Sequence, residues 1–330
     1  MRDTKIDIAR GLCMVSILLL HTEIYYTGEE IIPYAYHVDN SLLAFVFISG
    51  YLFIKTSYDT FDLRHKIVSI VKGITLPYFI FTTAIAFPKA MVRDDTTLVE
   101  TLMSVITGHA SWFLAALMLA EMLFAIIIHC SSKRKNITFW IFGCCSLPYL
   151  LIAAIYHFVS TDFLHDINIW CWQNALMMLF FLFAGMMCRK KKLLSHFQQP
   201  RILIILALVI VGIKWMVTSA DMTLTMEPIN VGSFAVLLVD GMAGAVLIVG
   251  VCRHLPDNAL LQFTGRHSLT YYFICGATPM AVCLALKKMG FSYSGHYWQV
   301  IITFILVFLT ATVITYGITK IKEGELKGYT

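Results

Sequence analysis

Apolar residues in this chain run in long blocks, and each block is close to the roughly 20 residues an α-helix needs to cross a bilayer. Ten blocks stand out: Ile6–Tyr26, Ser41–Tyr58, Ile67–Pro88, Ser111–Cys130, Ile137–His157, Gln173–Cys188, Arg201–Ser219, Val231–Cys252, Ser268–Leu286 and Trp298–Thr319. The block from Gln173 is short. The tract Asp94–Ala110 mixes polar and apolar residues as an amphipathic, interfacial helix does. The pattern predicts an all-α polytopic membrane protein of about ten transmembrane helices. With no repeat and no linker long enough to part domains, residues 1–330 read as a single membrane domain.

Within the first block the pattern is broken by chemistry. Arg10 and His21 share one apolar segment, and such groups are costly in hydrocarbon. Eleven residues at about 100° each come within about 20° of three full turns, so both side chains fall on one stripe, roughly 16 Å apart along the axis. Asp7 sits one turn before Arg10, close to the same stripe.

Composition agrees with a membrane protein. Apolar types make up 58% of the chain, charged residues 14%, and mean hydropathy is +0.76; a soluble domain carries about 25% charge. Charge then gives direction. With a cytoplasmic N-terminus and ten alternating helices, only Lys89, Arg93, Lys214, Lys287 and Lys288 of the 25 basic residues fall outside. Connections Thr27–Asn40 and Phe158–Trp172 hold none. This positive-inside bias predicts both termini in the cytoplasm and a multi-pass protein of the cytoplasmic (inner) membrane. The net charge of +5 is therefore topological, with no basic face for nucleic acid, and the run Arg189–Lys192 reads as a stop-transfer anchor. Membrane lipids are the implied surroundings.

The first helix has a short basic lead but no small-residue cleavage motif, so it reads as retained. Nine cysteines form no C-x-x-C pair, and only Cys171 falls in an outer connection, which predicts no extracellular disulfide framework. Cys144-Cys145 reads as core packing. No metal-ligand cluster is legible: His109, His129, His157 and His165 are scattered between sides or depths.

Four stretches resemble a known family. Ile6-Asp7-Ile8-Ala9-Arg10-Gly11 leading to His21 is similar to the opening of the acyltransferase-3 membrane proteins, in which an arginine, ten residues and a histidine form the first-helix motif. Phe45–Leu52, holding Ser49-Gly50, resembles the family's phenylalanine-rich serine-glycine segment. Ser111-Trp112-Phe113-Leu114 resembles its tryptophan-phenylalanine-leucine motif, and Gly265-Arg266-His267-Ser268-Leu269 its C-terminal turn. The order matches across residues 6 to 272. Two departures stand out. Cys275 occupies a place where relatives often have histidine, and the basic pair before the third helix is replaced by Arg64, Lys66 and Lys72 ahead of Leu76-Pro77-Tyr78.

The resemblance implies O-acyl transfer, commonly acetyl, from cytoplasmic acyl-CoA to a hydroxyl of a glycan or lipid-linked sugar at the outer side. Acyl-CoA, such as acetyl-CoA, is then a donor substrate, with no bound cofactor and no metal. An imidazole near pKa 6.5 suits a base for an acceptor hydroxyl, or His21 could carry the acyl group itself; the residues leave both routes open. Arg10 sits near the inner edge, and Asp7 pairs with it or caps and orients the helix start. Glu121 and Asp240, each near mid-helix, are candidates to orient His21. Arg10, Arg64, Lys66, Lys72 and Arg266 are candidates to hold donor phosphates. Ser49-Gly50 reads as close helix packing, Trp112 as part of an aromatic belt, and His267 as solvated. Glu23, on the opposite side of the first helix from His21, is expected in solvent at the outer rim, and Lys214 is expected to snorkel outward. Two rival readings remain. One is a proton-coupled transporter of a small polar or glycan-related solute, using His21 and Asp240 as a relay, although no inverted repeat or pair of broken helices supports it. The other is a fold that binds a glycan or lipid without transferring anything, for which Cys275 is the hint.

Overall fold

A computed structural model describes residues 3–54, 58, 61–92 and 97–327, with side chains of residues 88–92 and 322–327 excepted. Arg2, Lys55 and Arg93, counted in the charge pattern, lie outside the described residues, as do the start of the tract at Asp94 and the side chains of Lys89, Lys322 and Lys327. Of the described residues 81% are helical and almost none are in sheet, as the block pattern predicts.

Contacts gather the chain into two compact units, Met1–Ser41 with Leu255–Thr330, and Leu42–His254. The first unit opens with α1 (Thr4–Thr27). Asp3 caps its start by accepting from Lys5 N at 3.1 Å. Gly28, at φ +89°, ends it in the left-handed turn that glycine adopts without penalty. Helix α2 (Tyr34–Phe53) follows. It begins seven residues before the predicted block, correcting the boundary at Ser41. Asp39 and Asn40 are buried within it, so polar residues that read as loop are helix interior instead.

The second unit holds α3 (Leu63–Ile70), which a π turn over Val71–Thr75 joins to α4 (Leu76–Val92). Helix α5 (Leu98–Ile106) exposes Val99, Met103 and Ile106 while burying Thr101 and Val105, an amphipathic helix as predicted. Then come α6 (Trp112–Ser131), α7 (Ile137–Phe158), α8 (Thr161–Asp166), α9 (Trp172–Lys190), α10 (Leu194–Phe197) and α11 (Pro200–Ser219). A small antiparallel hairpin of β1 (Leu224–Met226) and β2 (Ile229–Val231) precedes α12 (Phe234–Cys252). A Cβ on Gly50 would stand 2.0 Å from Leu182 O, and one on Gly185 1.9 Å from Phe47 O, so two glycines let α2 and α9 cross backbone to backbone.

The chain returns to the first unit with α13 (Ala259–Arg266), α14 (Ser268–Ile274), α15 (Ala277–Lys288) and α16 (Tyr297–Lys327). Among the described residues, eight helices are long and apolar enough to span a membrane. The pair α14 and α15, bent by 47°, makes a ninth if counted as one span. Helix α2, with His37, Asp39 and Asn40 in its first half, is less apolar than these. Large apolar side chains at Phe139, Leu147, Leu208, Val211 and Val313 stand exposed on α7, α11 and α16, the surface a bilayer covers.

Candidate functional site

The first unit brings two distant motifs together. Helix α1 is unbroken from Thr4 to Thr27, so Arg10 and His21 keep the same-stripe spacing of roughly 16 Å. Helix α13 packs closely on its start. A Cβ on Gly265 would stand 1.7 Å from Asp7 O, and one on Gly11 2.2 Å from Leu261 O. The glycines in both motifs are thus the condition for the helices to touch. That approach carries the polar groups into register. Arg10 donates through Nη2 to Ser268 Oγ at 2.8 Å, and Arg266 Nε lies 3.3 Å from Asp7 Oδ2. Asp7 is buried while Arg266 keeps its outer part in water. The alternative that Asp7 caps the helix is corrected, because Asp3 caps it and Asp7 lies inside the first turn. His21 is half-buried farther along the same helix.

Glu23 overturns its expected place in solvent. It is fully buried, accepting from Tyr297 Oη at 2.6 Å and from Ile32 N at 3.2 Å. The reason is that α13, α15 and α16 all pack on α1, so the side away from His21 is interior too. His267 is likewise half-buried rather than solvated, with its ring 4.6 Å from that of Phe263. Cys275 is buried where α14 bends toward α15.

The second unit gathers three residues that the sequence offers separately. Ser49 Oγ donates to Glu121 Oε1, and Lys66 Nζ lies 4.0 Å from Glu121 Oε2. Lys66 also stands over the Phe53 ring at 3.7 Å, a cation–π contact that helps bring an ammonium inward. Arg64 and Lys72 are exposed. Asp240, fully buried on α12, is paired with Lys214 of α11. Lys214 therefore does not snorkel outward, because its side chain is only 12% exposed and its charge meets a carboxylate within the unit. Glu121 and Asp240 each have a cation of their own in this unit.

One cluster has no signal in the sequence. His109, Cys171 and Glu227 bring ligand-type atoms within 4.8 Å of one another. They come from three separate connections, so no spacing rule could join them. Trp170 N donates to Thr107 O at 2.7 Å and draws two of those connections together.

Comparison with curated proteins and with solved structures finds no significant match. A family comparison matches the acyltransferase-3 family, described as an acyltransferase domain, over residues 3–320. The match spans both motifs that meet at Arg10 and Ser268, and nearly the whole helical chain. This multi-pass membrane protein therefore belongs to the acyltransferase-3 family and is an acyltransferase.

Proposed function

We propose that the protein moves an acyl group, acetyl in our reading, from cytoplasmic acyl-CoA to a hydroxyl of a glycan or lipid-linked sugar. The reaction would take place across the cytoplasmic membrane, with both termini inside. The observation that carries this reading is the hydrogen bond from Arg10 to Ser268, which joins the first-helix motif to the C-terminal turn. His21 rises from that junction on the same stripe of α1. A guanidinium is the side-chain group best matched to phosphate, which suits Arg10 to the nucleotide end of the donor. Exposed Arg266, in the same unit, adds positive charge for the nucleotide end of the donor.

As base, His21 takes the proton of the acceptor hydroxyl as its oxygen bonds to the thioester carbonyl carbon. The carbon–sulfur bond breaks, and the proton passes to the departing CoA thiolate. As acyl carrier, His21 instead forms the carbonyl bond first, releases CoA and then gives the acyl group to the acceptor oxygen. Both routes consume one thioester and yield one ester.

The test is transfer of labelled acetyl from acetyl-CoA in membranes holding wild type, His21→Ala or Arg10→Ala. His21→Ala should lose at least about a hundredfold, the usual scale for a missing acid–base group. Arg10→Ala should raise the acetyl-CoA concentration needed. Transfer undiminished in both variants would overturn the reading, as would proton-coupled solute uptake lost in His21→Ala with no transfer detectable.

A further inference from the structure

We propose that His109, Cys171 and Glu227 form a binding site for one divalent cation of the zinc class. An imidazole, a thiol and a carboxylate are the three donor types that zinc accepts, and together they suit borderline-soft ions rather than calcium or magnesium. Three protein ligands also leave a fourth position for water, as sites that are not purely structural do.

The placement goes beyond mere proximity. The ligand atoms lie within 4.8 Å of one another. Zinc bonds of about 2.0–2.3 Å put tetrahedral ligands roughly 3.2–3.8 Å apart, so closure on an ion needs a shift of about 1 Å. His109 is exposed and can supply that movement by rotating its side chain. One of its ring nitrogens is already engaged, with Nδ1 at 3.0 Å from Thr107 Oγ1. A bond on the far nitrogen is how metal-binding imidazoles are oriented.

Glu227 supplies the independent sign. Its Oε2 is shut away from solvent and has no hydrogen-bond partner among the described residues. Buried carboxylate oxygens are normally satisfied, and a missing ion is one explanation for an unsatisfied one. Burial pushes its carboxyl up, with His165 pulling in the opposite direction. A bound cation would hold the charged form. The surroundings hold the segments that bear the ligands. Asn174 Nδ2 donates to Met226 O at 2.5 Å, and His165 Nε2 lies 3.1 Å from Ile229 O, so both strands of the hairpin bearing Glu227 are tied down. Trp170, bonded to Thr107, brings Cys171 toward His109. All three ligands belong to connections that the charge pattern puts outside, where an ion can arrive without crossing the bilayer.

The test uses the full chain purified in detergent, stripped with chelator and titrated with Co²⁺ as the probe. Binding should bring up a thiolate-to-cobalt charge-transfer band with a stoichiometry of one, and Zn²⁺ should displace it. Cys171→Ser should abolish the band, and His109→Ala and Glu227→Gln should each weaken binding at least tenfold. A band that survives Cys171→Ser, or none in wild type, overturns the site. If Cys171→Ser does not fold, His109→Ala decides, since its side chain is exposed and its loss leaves the packing intact. Unchanged cobalt affinity in that variant also overturns the proposal.

Discussion

Replacing Gly265 with alanine should uncouple the two motifs that meet at Arg10. The added Cβ would lie 1.7 Å from Asp7 O and 2.9 Å from Gly11 N, both rigid backbone atoms. Ordinary contact begins near 3.4 Å, so α1 and α13 must part by about 1.7 Å at this crossing. The Arg10–Ser268 bond of 2.8 Å then stretches beyond hydrogen-bonding reach. Overpacking usually costs about 1–3 kcal/mol. Because the clash is with a helix carbonyl that cannot rotate aside, the upper end applies, about 3 kcal/mol, or roughly a hundredfold in the folding equilibrium. Gly317→Ala is the control. Apart from its own helix backbone, no atom of the described residues lies within 4 Å of its added Cβ, and alanine in a helix should stabilise by about 0.5–1 kcal/mol. Thermal unfolding in detergent and labelled-acetyl transfer in membranes should both fall in Gly265→Ala and hold in Gly317→Ala. If Gly265→Ala matched the control in both, the close crossing would not be what aligns Arg10 with Ser268.

Removing Lys214 as Lys214→Met should destabilise by about 3–5 kcal/mol, because it leaves the fully buried Asp240 without its cation. Adding Asp240→Leu should recover most of that loss, and a double variant as unstable as the single would refute the pairing. Tyr297→Phe removes the phenol that donates to buried Glu23 and should cost about 1–3 kcal/mol in thermal unfolding, with Glu23→Gln milder because its amide can still accept. At α5, the Thr97 backbone and hydroxyl hold the Glu100 carboxyl below its ordinary range. The stability this adds is present above the ordinary glutamate pKa and is lost as pH falls through the lowered one. Hydrogen exchange of α5 amides should therefore quicken in acid, and Thr97→Ala should flatten that dependence.

Much of this protein is legible in its linear order because a bilayer imposes a length and a polarity on each crossing segment. Among the described residues, the apolar blocks therefore match eight helices long and apolar enough to span and one bent helix pair, while the start of α2 is misplaced by seven residues, where buried Asp39 and Asn40 imitate a loop. Arg10 and His21 share a stripe because 3.6 residues per turn is a local property of the chain. What a residue meets across helices is not local. Glu23 and Lys214 both read as surface groups, and only the packing of α16 on α1 and of α12 on α11 turned them inward. The same holds for Arg10 with Ser268, 258 positions apart, and for His109, Cys171 and Glu227, drawn from three connections. Periodicity settles which face of a helix a residue occupies; the partner on that face is chosen by helix crossings that depend on glycines far apart in the chain.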